Sequence, residues 1–256
     1  GQKYTGYSSI RDGIIYSMNI VAVRCLMETV SPQLGLEYAE NFGITTLTSQ
    51  DLGASQALGG LTHGTTNLEL TAAYASIANE GIYTRPVFFT KILDHDGKIL
   101  INNEPETHRV LKDSTAFLLT DAMAGSMETN RKFGSSINST SARANIPGMS
   151  NAGKSGTTSK NNDIWFVGYT PYYTAGIWAG CDSNQKLTAQ NGGTSFHKNI
   201  WRNIMTRVHE NLSDPGFTVP DSVETAQICR KSGKLAIPGV CTEDPRGNAV
   251  YTEYFA

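Results

Sequence analysis

The chain has 256 residues, of which 17% are charged, and a formal net charge of −2 at pH 7. This length suffices to bury a sizeable core, whereas the balanced charge disfavours nucleic acid as a partner, because phosphate backbones select proteins with a basic surplus. No apolar run reaches the ~18 residues that a membrane-spanning helix requires, and the first residues lack a secretory signal, so an export address is expected outside this sequence.

Four segments have the apolar periodicity of helices. They cover residues 11–30, 67–81, 113–127 and 195–212. In the second segment Thr66 and Glu69 form a predicted capping box, and Gly81 stands where a left-handed C-terminal residue is needed. Asp113 is the expected N-cap of the third segment. The fourth carries one apolar stripe, made of Ile200, Trp201, Ile204, Met205 and Val208.

The remaining periodic segments favour strands. Residues 86–102 predict a hairpin, because the turn sequence Asp94-His95-Asp96-Gly97 lies between two β-prone runs. Three further strands are expected in residues 152–158, 164–170 and 173–182. Their short connections favour antiparallel neighbours, since a parallel crossover needs a dozen or more residues. The tail from residue 213 is rich in turns and only weakly periodic.

The four cysteines do not form a zinc-binding pattern, because none stands in a C-x-x-C pair or near a histidine at ligand spacing. Cys229 and Cys241 flank turn-forming residues that can bring two sulfurs together, so we predict a disulfide there and an oxidising location. Two free thiols in a reducing compartment are the alternative. Cys25 and Cys181 are expected as small buried apolar residues.

Residues 148–155 satisfy two unrelated patterns. They match the phosphate loop G-x-x-x-x-G-K-[ST], which would make the protein a nucleotide binder. That loop requires a buried strand before the first glycine and a helix beginning at the lysine. The preceding residues 140–147 have no apolar run, and residues 156–163 are poor helix formers, so we reject the nucleotide interpretation.

The alternative is that Lys154 to Thr157 lie on a strand that serves acyl transfer. In that setting Lys154 supplies a positive charge beside a nucleophile, and the neighbouring Ser155 hydroxyl can bind a substrate carboxylate. Gly156 leaves room for a substrate backbone, and the Thr157 N–H can stabilise a developing oxyanion. A solvated lysine at a sheet edge remains the simpler interpretation of Lys154 alone.

Longer segments resemble one family, the transpeptidase domain of class A (bifunctional) penicillin-binding proteins. The resemblance extends from about residue 4 to residue 254 and rests on residues 17–26, 57–100, 153–182 and 228–241. It implies an α/β (α+β) fold like that of penicillin-recognising serine transpeptidases and β-lactamases, with a central antiparallel sheet flanked by helices and a mostly helical subdomain. Residues 1–212 would form the transpeptidase domain without its N-terminal part, and residues 213–256 a turn-rich extension.

The resemblance also implies roles for individual residues. Ser17, in the motif S-x-N, would relay a proton, and Asn19 would bind the substrate carbonyl and a catalytic lysine. Lys154 would tune the proton network, and the Thr157 N–H would form half of the oxyanion hole. The substrate-binding residues would be Ser155, Gly156, Thr157 and Thr158. Taken alone, the tripeptide favours an ordinary helix start at Ser17 and Asn19, and its spacing to the other matching segments reverses that preference.

The family's S-x-x-K nucleophile motif should precede S-x-N, and it is absent at that position. The strings Ser183–Lys186 and Ser195–Lys198 match by letter, but both follow the lysine strand, contrary to the family order. We therefore predict a loop for the first and a helix start for the second, and a chain that does not acylate alone. The missing segment would then be a partner of this chain.

The implied activity is that of a peptidoglycan D,D-transpeptidase, which cross-links D-Ala-D-Ala stem peptides to an acceptor amine through a serine acyl-enzyme and is inhibited by β-lactams. The resemblance implies no cofactor, no metal ion and no nucleic acid, and a location on the extracytoplasmic face of a bacterial membrane. A non-catalytic module that binds peptides or β-lactams is the main alternative. A carboxypeptidase or β-lactamase, in which water deacylates the enzyme, is another.

Overall fold

The computed structural model describes residues 6, 8–128, 139–188, 194–245 and 247–256. The helices are α1 (Ile10–Ile15), α2 (Asn19–Arg24), α3 (Pro32–Asn41), α4 (Asn67–Ala78), α5 (Asp113–Met127) and α6 (Phe196–Val208). The strands are β1 (Ile82–Thr84), β2 (Lys91–Leu93), β3 (Ile99–Asn102), β4 (Thr107–Arg109), β5 (Ala152–Thr157), β6 (Asp163–Tyr169), β7 (Thr174–Gly180), β8 (Glu224–Cys229) and β9 (Val250–Phe255). A π-helical segment, Cys25–Val30, continues α2.

The central sheet is the antiparallel arrangement that the short connections predict, with the strand order β5-β6-β7. Lys154 pairs with Val167 and Thr157 with Ile164, so β5 is an edge strand over its whole length. The predicted hairpin of β2 and β3 is also confirmed. The antiparallel pairs β1–β4 and β8–β9 were not predicted.

Two apolar clusters lie on opposite faces of the sheet. On one face Phe166 packs edge-on against Trp201 of α6, and both side chains are fully buried. On the other face Ala152, Tyr169 and Met123 form a cluster with side chains of α4 and α5. Since a fully buried large apolar side chain contributes roughly 1.5–3 kcal/mol, these clusters hold the helices against the sheet and fix the position of β5.

The predicted helix over residues 11–30 is interrupted. Helix α1 ends at Ile15, and α2 begins at Asn19, because Ser17 between them has the left-handed backbone angle φ = 53°. The two short helices pack closely at Gly13, where an added Cβ would lie 2.6 Å from Val21 Cγ1. The break places Ser17 in a turn and not on a helix face.

The capping predictions are largely correct. Thr66 and Glu69 form the capping box of α4, and Gly81 follows its C-terminus with φ = 84° and donates its N–H to Ser76 O at 2.8 Å. Asp113 is the first residue of α5 and not its N-cap, which is Lys112.

Only part of the apolar stripe of α6 is buried. Trp201 and Met205 are buried, whereas Ile200, Ile204 and Val208 are 42%, 50% and 47% exposed. The sheet and the segment 142–149 cover only the narrow side of α6 that carries Trp201 and Met205.

The C-terminal tail is more ordered than its sequence indicates. Strands β8 and β9 pair over six residues each, and Tyr254 of β9 packs edge-on against Phe117 of α5. The thiols of Cys229 and Cys241 are not bonded to each other, although both are buried in one small cluster. Cys25 and Cys181 are free and half-buried, so they are less enclosed than expected.

Candidate active site

The site centres on a contact between two residues that are 137 positions apart in the chain. Lys154 of β5 donates a hydrogen bond from Nζ to Ser17 Oγ at 2.7 Å and a second to the carbonyl of Ser155 at 3.1 Å. Lys154 lies in the middle of a strand, and no helix begins there. This geometry excludes the phosphate-loop interpretation, in which the lysine opens a helix.

The turn between α1 and α2 positions Ser17 for this contact. The N–H of Ser17 donates to Ile14 O at 3.3 Å, and the N–H of Met18 donates to Gly13 O at 2.9 Å. Because these bonds close the turn around a left-handed residue, the Ser17 side chain projects to Lys154. Asn19 is the first residue of α2 and is exposed, two residues beyond the contact.

The environment of Lys154 lowers the pKa of its amine. Burial disfavours its charged form and, together with the positive charge of Lys198, lowers the pKa of Lys154 from 10.5 to about 8. A group with this pKa populates both protonation states near neutral pH, and its amine lies at hydrogen-bond distance from a hydroxyl. The pair can therefore transfer a proton between Lys154 and Ser17.

The other predicted residues of the lysine strand divide into two groups. Ser155 and Thr157 pair with Phe166 and Ile164, and since strand side chains alternate, both lie on the sheet face opposite to Lys154. Thr158 lies beyond β5, and its Oγ1 accepts the N–H groups of Asn162 and Asp163, each at 3.0 Å. The Thr158 oxygen is thus engaged in the β5–β6 turn.

Gly156 is the third residue of the strand motif Lys154–Thr157. A Cβ at this position would lie 3.3 Å from Trp165 Cβ on the paired strand, which is a tight contact. The absence of a side chain therefore serves the packing of the sheet as well as any approach by a substrate.

Lys198 is a cation near the site that the sequence-based interpretation missed. Its Nζ donates to Thr140 O at 2.7 Å, and the Thr140 N–H donates to Ile15 O at 3.3 Å, two residues from Ser17. Burial and the charge of Arg143 lower the pKa of Lys198. The signal in the sequence was the string Ser195–Lys198, which was considered only as a nucleophile motif.

Neither S-x-x-K string forms a nucleophile pair in the structure. Ser195 is the N-cap of α6, and its Oγ accepts a hydrogen bond from Arg143 at 3.0 Å while Lys198 binds elsewhere. Ser183 lies in a turn after β7. The predictions of a loop and a helix start are confirmed.

One group of side chains among the described residues has a geometry that could ligate a metal ion. It consists of Asp94, His95 and Asp96, in the turn between β2 and β3. His95 and Asp96 are exposed, and their side chains pair at 3.1 Å. Acidic turns of this kind are common in hairpins, and the Lys154–Ser17 contact lies on other elements, so the turn has no part in the site.

The fold and the site together define a penicillin-recognising α+β domain, in which an antiparallel sheet presents an edge lysine to a serine of a helical turn. The sequence profile of the penicillin-binding protein transpeptidase domain matches residues 1–206, and that of the penicillin-binding protein 1A C-terminal domain matches residues 219–256. The chain belongs to the transpeptidase family of class A penicillin-binding proteins.

Relatives and solved structures agree with this assignment. Penicillin-binding protein 1A of Clostridium botulinum is 35% identical over 254 residues, which are 98% of this chain and 29% of the relative. That of Aquifex aeolicus is 32% identical over 235 residues, or 92% and 30%. The chain thus spans less than a third of the length of these curated relatives.

The fold is similar to that of crystallised members. Penicillin-Binding Protein 1A from Haemophilus influenzae superposes with a TM-score of 0.80 at 22% identity, over 99% of this chain and 40% of that one. The PonA1 protein from Mycobacterium tuberculosis in complex with penicillin V gives 0.71 at 23% identity, over 93% and 64%. Within the described residues, every helix is too short or too polar to cross a lipid bilayer.

Proposed function

We propose that the protein containing this chain is a peptidoglycan D,D-transpeptidase that cross-links stem peptides through a serine acyl-enzyme and is acylated by β-lactams. The observation that carries the proposal is the 2.7 Å hydrogen bond from Lys154 Nζ to Ser17 Oγ. It joins the two motifs that the family uses for proton transfer, at a lysine whose pKa is lowered to about 8.

In this proposal Ser17 and Lys154 carry the proton between the attacking serine and the leaving amine. The N–H of Thr157 contributes to the oxyanion hole, and Asn19 binds the substrate carbonyl. The hydroxyls of Ser155 and Thr157, which share one face of β5, receive the terminal carboxylate in this proposal. Gly156 and Thr158 have structural roles at the strand and its turn, in addition to any substrate contact.

The nucleophilic serine is proposed to lie outside these 256 residues, in a segment that completes the domain. Residues 1–212 then contribute to the transpeptidase domain, and residues 213–256 form an extension docked through β9 on α1 and α5. We place the assembled protein on the extracytoplasmic face of the bacterial membrane, where peptidoglycan is cross-linked, and expect the isolated chain not to acylate.

Intact-mass measurement of the parent protein after incubation with penicillin tests this function. We expect one covalent adduct on a serine outside the chain, and a loss of acylation rate of about 10²-fold or more in Lys154→Met, the size of a typical acid–base contribution. Lys160→Met, in the exposed β5–β6 turn, is the matched control and should acylate normally. Reversible penicillin binding without an adduct would instead indicate a non-catalytic sensor module.

A product assay then separates the transpeptidase from hydrolytic relatives. With a stem peptide and an acceptor amine present, the parent protein should form cross-linked dimers. Release of the shortened peptide alone would indicate a carboxypeptidase.

A further inference from the structure

The C-terminal unit, residues 219–256, encloses a small apolar cluster in which two thiols face each other. Cys229, Cys241 and Ala249 are its buried members, at 5%, 6% and 1% exposure. Three other large apolar side chains of the unit, Leu235, Ile237 and Val240, are 60% or more exposed. A unit of fewer than about 40 residues with so small a core usually depends on a disulfide, a metal or a partner for stability.

Backbone hydrogen bonds hold the two cysteines at one place in the hairpin. The carbonyl of Cys241 accepts the N–H of Ala249 at 2.9 Å, and the carbonyl of Ala249 accepts the N–H of Arg230, next to Cys229, at 2.8 Å. The Ile237 N–H donates to Cys241 Sγ at 3.4 Å. Both sulfurs are therefore directed into the same cluster by the fold itself.

We propose that Cys229 and Cys241 are an oxidation site that forms a disulfide closing the loop between β8 and the segment before β9. The oxidant is a protein or low-molecular-weight disulfide. One cysteine thiolate attacks a sulfur of that disulfide and releases one thiol, and the second cysteine thiolate attacks the mixed disulfide and releases the other. Two protein thiols are oxidised, and one external disulfide is reduced to two thiols, which take up the two protons.

The local chemistry favours this reaction over metal binding. The Cys241 thiol, assisted by the N–H groups of Ser232 and Lys231, lowers the pKa of Cys229 to about 7, so a large fraction of its thiol is ionised at neutral pH. Within the described part of the chain, no third ligand joins these two sulfurs, since the one metal-like group is the β2–β3 turn. The bond would reduce the conformational entropy of the unfolded tail.

Counting thiols in the full chain tests the proposal. The purified, reduced protein is equilibrated with a small-molecule disulfide buffer, quenched, denatured and alkylated, and its mass is measured. We expect two of the four cysteines to resist alkylation and a peptide map to link Cys229 with Cys241. In Cys25→Ser and Cys181→Ser, the matched controls, the same link should persist, and Cys241→Ser should abolish it.

Stability gives a second measurement that needs no variant. We expect the folded protein's disulfide to be reduced at least tenfold more slowly than the same bond in urea, and reductant to lower the melting temperature. Four alkylated cysteines at equilibrium, a link to Cys25 or Cys181, or equal reduction rates with and without urea would each overturn the proposal.

Discussion

Lys154 occupies a position where its positive charge is unfavourable, half-buried and repelled by Lys198. This position lowers the free energy of unfolding, because burial disfavours the charged amine more than the neutral one. A lysine that served only to keep a sheet edge soluble would be solvated and would not have this effect. The hydrogen bond from Lys154 to Ser17 is consistent with the proposed role of Lys154 in proton transfer.

This reasoning predicts that Lys154→Met stabilises the chain, although the same substitution should slow acylation of the parent protein. The folded-state pKa of about 8 lies below the ordinary 10.5, so protonation favours the unfolded chain and the destabilisation is fully present below pH 8. We expect the free energy of unfolding at pH 7 to rise by about 1–2 kcal/mol, discounted for partial exposure and the lost hydrogen bond. Urea denaturation measures it. A lower stability than wild type, with Lys160→Met unchanged, would contradict the argument.

His197 is a second residue with an unfavourable environment, and it makes stability depend on pH. It is fully buried in α6, and the backbone of Trp165 is a polar neighbour that partly opposes the effect of burial without forming a hydrogen bond of good geometry. Burial, together with the charge of Lys198, lowers the pKa of His197 from 6.5 to about 4. Protonation therefore favours unfolding, and stability is lost as the pH falls from 6.5 to 4.

We expect the free energy of unfolding to fall by on the order of 2–3 kcal/mol between pH 7 and pH 4 through this residue. Denaturation at a series of pH values measures the loss. His197→Leu should flatten the profile in this interval, whereas His95→Gln, in the exposed turn, should leave it unchanged. A profile that His197→Leu does not alter would show that the folded chain protonates this ring as readily as the unfolded chain, and would contradict the argument.

At the scale of elements, the broken helix determines where Ser17 lies. An unbroken helix over residues 11–30 would place Ser17 on a helix face, and its contact with Lys154 would depend on the helix rotation alone. The left-handed Ser17 and the close approach of α1 to α2 at Gly13 replace that helix with a turn. Backbone strain at functional residues is a recurring feature of active sites.

Gly13→Ala tests the importance of that close approach. The added methyl group would lie 2.6 Å from Val21 Cγ1. The overpacking cost of ~1–3 kcal/mol exceeds the helix-propensity gain of alanine, ~1 kcal/mol, so we expect a net loss of unfolding free energy and a slower acylation of the parent protein.

Two further variants complete that experiment. Val21→Ala, combined with Gly13→Ala, should restore part of the loss, because it removes Val21 Cγ1 and leaves only Val21 Cβ, 3.0 Å from the added methyl group. Gly53→Ala is the matched control, since an added Cβ there meets no atom within 4 Å. Equal effects of alanine at residues 13 and 53 would mean that the approach of the two helices is unimportant.

The elements also show what the sequence could and could not predict. Strands β5, β6 and β7 were predictable because their connections are too short for parallel crossovers. The apolar periodicity continues through Ser17 and therefore did not indicate the break, whereas the helix-start interpretation of Ser17 and Asn19 agrees with α2 beginning at Asn19. The sequence did not indicate that Ile200 and Ile204 are exposed. Periodicity identifies the apolar side of a helix, but it does not show how much of that side the neighbouring elements cover.

At the scale of the whole molecule, the site depends on contacts that no local pattern contains. The residue types of the lysine strand indicated acyl transfer, but only the family resemblance indicated that Ser17 would meet Lys154 across 137 positions. The sequence did not indicate that Lys198 lies near Ser17. That proximity depends on Thr140, which lies beside α1 and accepts the Lys198 hydrogen bond. Arg11 joins these parts by binding Asp121 of α5 and Glu253 of β9, so the C-terminal extension supports the helix that precedes Ser17.

The claim that Ser17 and Lys154 act as one proton-transfer unit is tested most directly by a double-mutant cycle on the rate of penicillin acylation of the parent protein. Ser17→Ala and Lys154→Met should each slow acylation by about 10²-fold or more. The double variant should be no more than about tenfold slower than the slower single one, because residues of one unit are not additive. A double variant whose loss of rate equals the product of the two single losses would contradict the account. A single variant that acylates at the wild-type rate would contradict it as well.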